Sequence, residues 1–240
     1  MNLRKVKVVA NTEIPIGIGK MGAVRCLVEF EDGSTHAAIL KRMDSVKIGA
    51  EIFSAILLRA WGLPVPEPLL VDESPVAFAS LDVDYPNLYQ RLGWSNDLPD
   101  SVKESLLKQA ASWLLDLEST ALAVTADEAI NNRDRNIQNI LFDGKSVAWI
   151  DHEHTFGLSE LPDANKLATL LQNDKNWAKI QNSAVAVALT LARMAVEESV
   201  QICSVLDVSA FESFVVPRLS PLANMVLRRF PAPNDLLSGA

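Results

Sequence analysis

Apolar runs of strand length and apolar positions at helical spacing occupy different stretches of this chain. Ala23–Glu31 (AVRCLVEFE) and Thr35–Arg42 (THAAILKR) flank Asp32-Gly33-Ser34, and Asp-Gly between two apolar runs is a hairpin signal. Next, Ile52, Ile56 and Arg59, with Phe53, Leu57 and Ala60, recur at helical spacing. Gly62 supplies the stop, and Pro64, Pro66 and Pro68 forbid continuation. Leu69–Val71 and Val76–Ser80 read as short strands, and the polar, proline-containing stretch Leu81–Asp100 reads as a linker.

Beyond the linker the character changes. Val102, Leu106, Ala110, Trp113 and Leu117 share one face of an amphipathic helix over Ser101–Ser119. Thr125-x-x-Glu128 has the capping-box pattern and predicts the start of a short helix. Two strand-like runs, Asn139–Phe142 and Ser146–Ile150, flank Asp143-Gly144. From Asp163 onward the pattern is helical, over roughly 165–173, 183–206, 209–216 and 220–229. The expectation is an α+β fold in two lobes: residues 1–85 β-rich with one helix, residues 86–240 mostly helical with an embedded hairpin.

Composition narrows the setting. A length of 240 residues suits one large domain or two closely packed lobes, and 49% hydrophobic with 22% charged residues is ordinary for a soluble globular protein. A net charge of −8 and a pI near 4.9 argue against sequence-independent binding to nucleic acid or to an anionic membrane. The two cysteines, Cys26 and Cys203, read as buried free thiols, which fits a reducing compartment. The N-terminal apolar run is too short for a signal peptide, and Ala184–Val196 is too short for a membrane span and contains Arg193. That run predicts a buried core helix, and the expected location is the cytoplasm.

Candidate chemistry concentrates in NNRDRNIQNILFDGKSVAWIDHEH, Asn131–His154. Alone, each Asp or Asn there suits a turn or a cap. Together, a hairpin sets Asn139, at the start of one strand, near Asp151, at the end of the other, and an amide oxygen with a carboxylate suits a hard cation such as Mg²⁺. Asp134 lies just upstream, and Arg135 is either a phosphate contact or the partner of an acid. Lys41 closes a strand, with Glu51 following in the next helix, a pair that can hold an ammonium toward phosphates. GIGKMG, with Gly17, Gly19 and Gly22, matches G-x-G-x-x-G but precedes a strand, so it is either a phosphate-covering loop or an ordinary turn. A separate reading makes Asp151, His152 and His154, with Asp134, a metal-hydrolase site, since His-x-His on a strand points both rings to one face.

The segments NRDRNIQNILF and WIDHEHTFG resemble the catalytic and metal-binding segments of the HipA-like kinases and, more distantly, of the phosphoinositide lipid kinases. EIFSAILLRAWGLPVPEPLLV also resembles the small HipA-like kinase domains, in which a Glu opens a helix that ends in L-G-L-P-V-P. The resemblance spans about Gly17 to Gly157 and implies a protein-kinase-like fold. It makes Lys41 the ATP-phosphate lysine, Glu51 its helix partner, Asp134 the catalytic aspartate, and Asn139 and Asp151 the Mg²⁺ ligands. His154 matches a histidine three residues after the metal aspartate. ATP is then the phosphoryl donor, and a protein hydroxyl is the expected acceptor. Asn136 stands where the pattern has histidine, and no lysine follows Asp134 at the second position. These departures keep open a pseudokinase or nucleotide-gated binding module, or a regulator acting through a partner protein.

Overall fold

The computed structural model describes residues 2–16 and 22–231, and its architecture is α+β. Strands β1 (Arg4–Val8), β2 (Ile14–Pro15), β3 (Val24–Glu29), β4 (Thr35–Lys41), β5 (Pro68–Val71) and β6 (Ala77–Leu81) form one sheet, interrupted in sequence by helix α1 (Ser45–Ala60). The sheet order is β1-β5-β6-β4-β3-β2, and β1 also pairs with β3, so five of the strands close into a ring. Pairing is antiparallel except between β1 and β5, where Val6 sits opposite Val71. The expected hairpin forms at Asp32, whose carboxylate accepts from the Ser34 backbone N–H, while Gly33 takes the left-handed φ of +81°. The short run at Val6 and Val8, read only for its targeting potential, is thus a strand that completes the ring.

Because side chains alternate across a strand, the ring has an inside. Val6, Cys26, Val28, Ala38, Leu40, Leu69, Val71, Ala77 and Ala79 fill it as one core. Leu70 and Phe78 point the other way and join a second core with α1 and the later helices. Every residue of α1 from Ile48 to Leu58 is buried, as befits a helix that is apolar nearly all round. Asp44 caps its start by accepting from the Lys47 N–H. At its end Gly62, at φ +91°, lets Gly62 N–H reach Arg59 O and Leu63 N–H reach Leu58 O, the Schellman arrangement. Phe53 of α1 packs on Phe156 and Phe211, with ring centroids 5.6 and 6.0 Å away.

The remaining elements are α2 (Leu88–Arg91), α3 (Asp100–Leu115), α4 (Thr120–Ala129), the hairpin β7 (Ile140–Phe142) and β8 (Val147–Trp149), then α5 (Lys166–Leu171), α6 (Trp177–Ala188), α7 (Arg193–Ile202), α8 (Ser209–Leu219) and α9 (Leu222–Leu227). Three expectations need correction. The stretch Leu81–Asp100 is no bare linker: Asn87 and Gln90 form a capping box around α2, and Leu88 is fully buried. Thr125-x-x-Glu128 lies inside α4, where the Thr125 hydroxyl donates to Ala121 O instead of capping. The apolar run Ala184–Val196 is two helices, since the N–H and the hydroxyl of Thr190 both turn back onto Val187 O and close α6. Leu189, at that break, is 77% exposed, and Arg193 pairs with Glu197 in the first turn of α7. Among the described residues, no helix is long and apolar enough to cross a membrane.

If α2 packs as part of the core, Leu88→Ala should cost about 2–5 kcal/mol in urea denaturation. A cost below about 0.5 kcal/mol, usual for surface positions, would mean that α2 is not packed in solution.

Candidate active site

The site forms where the end of β4, the first turns of α1 and the segment after β8 meet. Lys41 Nζ donates to Glu51 Oε1 at 2.6 Å and to Asp151 Oδ1 at 2.5 Å, and Glu153 Oε2 lies 3.4 Å away. Asp151 takes the left-handed φ of +69°, uncommon for a non-glycine residue. The chain therefore turns as it leaves β8. The Asp151 carboxylate meets Lys41, and the next N–H, that of His152, donates to Glu51 Oε2 at 2.9 Å.

Three carboxylates around one ammonium leave an excess of negative charge, and their oxygens lie within 4.8 Å of one another. Burial works against the charge on Lys41, yet Glu51, Asp151 and Glu153 overcome it and raise its pKa. Burial likewise opposes ionised Glu51, but Lys41 and the bond from His152 hold its carboxyl below the usual range. Glu153 is different. Burial pushes its carboxyl up, Lys41 opposes, and the charges of Asp151 and Glu51 add to the rise.

Beneath this cluster Arg135 is completely enclosed. Its Nε and Nη2 donate to Asp127 at 3.0 and 2.9 Å, and Nη2 also meets His152 Nε2 at 3.0 Å. Nη1 donates to Asn139 O at 3.0 Å and to Ile150 O at 2.5 Å. All five N–H groups of the guanidinium are thereby used. Arg135 is the partner of an acid and has no donor left for a phosphate. Burial holds the His152 pKa below its ordinary value, with Glu51 opposing and Arg135 reinforcing the shift. A neutral ring accepts from Arg135 through Nε2 and turns Nδ1 toward Glu51, 3.5 Å away.

This geometry removes the premise of the metal-hydrolase reading. Residues 151–154 are not a strand, and the His152 ring is enclosed between Arg135 and Glu51. His154, half-buried, instead sets Nε2 3.4 Å from Glu153. Among the described residues, the one cluster spaced to hold a metal ion contains only carboxylates: Glu51, Asp151 and Glu153.

Asn139 and Asp151 are joined through the backbone, since Ile150 N–H donates to Asn139 O at 3.2 Å. The Asn139 Nδ2 donates to Asp134 O at 2.9 Å, and its side-chain oxygen takes no hydrogen bond from a described residue. An amide oxygen without a partner among the described residues, on the residue whose backbone pairs with Ile150 just before Asp151, is a ligand type that fits a hard divalent cation. Asn136 uses its amide locally, donating to Asp134 O and accepting from Gln138 N–H. The Asp134 carboxylate accepts from Lys166 of α5 at 2.7 Å.

The structure thus brings together Lys41, Glu51 and Asp151, and places Asn139 and Asp134 on the adjoining loop. Gly17 and Gly19 lie outside the described residues, and Gly22, at φ +64°, enters β3. Glu153, Asp127 and Lys166 escaped the sequence reading. Glu153 had a local signal, as a carboxylate two residues from Asp151, whereas Lys166 had none. A second ionic group brackets Asn131: Glu128, fully buried, receives paired bonds from both Arg133 and Arg229. It ties the loop to the C-terminal helices.

No protein-family model matches the chain, and no curated protein matches it. Solved structures do share its fold. The proinflammatory kinase CtkA of Helicobacter pylori matches with a TM-score of 0.54 at 12% identity, over 94% of this chain and 98% of that one. HipA of Shewanella oneidensis, from a toxin–antitoxin complex with HipB and operator DNA, matches with a TM-score of 0.54 at 14% identity. That match covers 92% of this chain and 65% of HipA. The fold is that of the HipA-like kinases.

Two measurements test the site's electrostatics. Arg135→Met should cost about 3–5 kcal/mol in denaturant unfolding, because it strands Asp127 without its buried partner; a cost under about 1 kcal/mol would contradict the enclosed network. Glu153→Gln should raise the melting temperature at pH 7. A raised carboxyl pKa contributes stability below the unfolded pKa and loses it as pH rises through the folded one. The gain from Gln, which mimics the protonated acid, should therefore vanish in acid, and a gain independent of pH would refute this origin.

Proposed function

We propose that this protein is an ATP-dependent kinase of the HipA-like type, built as two lobes divided near residue 85, that transfers the γ-phosphoryl group to a protein Ser or Thr hydroxyl. The observation that carries the reading is Lys41, buried between Glu51 of α1 and Asp151 beyond β8. Burying an ammonium is a costly route to stability, since desolvation opposes the attraction of its carboxylate partners. A lysine that must meet phosphates gains a fixed position.

In this reading Asp151 and the Asn139 amide oxygen would hold Mg²⁺, which would supply positive charge against the triphosphate. Lys41 adds a positive charge held in place by Glu51. The adenine lies under β4 and against β6, within reach of main-chain groups there. Asp134 orients the acceptor hydroxyl and takes its proton. Arg135 holds both ends of the metal-binding hairpin from below. Catalysis then rests on positioning and preorganised charge rather than on a covalent intermediate. The acidic overall charge favours a protein acceptor over nucleic acid, and the location inferred is the cytoplasm.

Calorimetry of ATP with and without Mg²⁺, on the wild type and on Asp151→Asn, tests the reading. Micromolar, Mg²⁺-dependent binding that the substitution abolishes is the expected result. No binding under any metal condition would overturn it.

A further inference from the structure

The chain lacks a lysine two positions after Asp134, yet the fold brings one to that carboxylate from 32 residues away. Lys166 Nζ donates to Asp134 Oδ1 at 2.7 Å, and no other described residue hydrogen-bonds the Asp134 carboxylate. The two side chains are 40% and 30% exposed, so both groups of the pair are open to solvent.

Its placement is built. Lys166 is the first residue of α5, and the preceding Asn165 is buried. Asn165 accepts from Ala168 N–H, which caps α5, and donates through Nδ2 to Val124 O of α4 at 3.0 Å. The same α4 leads directly into the loop that carries Asp134. One buried amide therefore sets the distance between the element bearing the lysine and the element bearing the aspartate.

The neighbouring cations are committed elsewhere. Lys41 is shared by three carboxylates, and Arg135 has used every donor. Arg133 is buried against Glu128 and Asp163. Of these four, Lys166 alone combines exposure with spare N–H groups, since an ammonium has three donors and the described residues occupy only one.

We propose, resting on the kinase reading above, that Lys166 is a catalytic residue whose ammonium binds the phosphoryl group in transfer while holding Asp134 in place. In the step itself the acceptor oxygen forms a bond to the γ-phosphorus. The bond from that phosphorus to the bridging oxygen breaks, and its electron pair leaves with ADP. The hydroxyl proton passes to Asp134. Lys166, hydrogen-bonded to one Asp134 oxygen, leaves the other for that proton and directs its spare donors at the oxygens gaining charge.

An exposed pair of this kind contributes little to stability, so the two roles separate cleanly. The test is calorimetry on the full chain with Mg²⁺·ADP and with Mg²⁺·ADP plus aluminium fluoride, a mimic of the phosphoryl group in flight, for the wild type, Lys166→Met and Lys166→Arg. For Lys166→Met we expect an unchanged melting temperature and unchanged ADP affinity. Affinity for the aluminium fluoride complex should fall about tenfold to a hundredfold, the size of a lost charged hydrogen bond, and Lys166→Arg should recover part of it. Equal affinities for the fluoride complex in wild type and Lys166→Met would overturn the proposal while leaving the kinase reading intact. So would parallel losses for both ligands, or wild-type binding of ADP that fluoride does not strengthen. A wild type that binds neither ligand would overturn both.

Discussion

A guanidinium with no exposed surface must find an acceptor for each N–H it carries, because water is not there to supply one. Arg135 meets that demand with Asp127 of α4, the carbonyls of Asn139 and Ile150 at the two ends of the hairpin, and the His152 ring. These acceptors come from α4, from the two ends of the hairpin and from the segment after β8. Satisfying one side chain therefore fixes the loop with Asp134, the start of β7 and the exit from β8 relative to one another. His152, held neutral, passes the constraint on: its backbone N–H reaches Glu51, and Glu51 holds Lys41.

The site above this node is unbalanced by design of its residues. Three carboxylates converge on a single buried ammonium, and burial, with the charges of Asp151 and Glu51 adding to it, raises the pKa of Glu153. Such an arrangement is a poor way to stabilise a fold, and its excess of negative charge is of the kind that a cation offsets. The same logic separates Arg135 from Lys166. One is enclosed and structural, the other exposed with donors to spare.

Elements with local signals were legible in the chain. Asp-Gly marked both hairpins, and Gly62 with its prolines marked the end of α1, because turn and cap chemistry acts within a few residues. The pairing of Lys41 with Glu51 was legible through their order, whereas the contact of Lys41 with Asp151 was not. Thr125 and Glu128 misled, since the residue types of a capping box also serve a buried helix, where Thr125 bonds Ala121 O and Glu128 binds arginines. The break at Leu189–Ala192 was hidden inside an apolar run. Lys166 and Asp127 could not be found by spacing, because their partners come close only once α4 and α5 are packed.

The aromatic stack under α1 bears on how the protein is made. Phe53 and Gly49 of α1 rest against Phe211 of α8, with the Phe211 ring 3.2 Å from where a Gly49 Cβ would stand. Roughly 150 residues separate the end of α1 from that ring. At a synthesis rate of about 5–20 residues per second, the helix that carries Glu51 waits roughly 8 to 30 seconds for this packing partner. During that interval its apolar surface is a natural substrate for chaperones, and the Lys41–Glu51 pair lacks its full support. The helix that carries Glu51 is therefore made well before the ring that completes its packing, and its setting is finished only once α8 has been made.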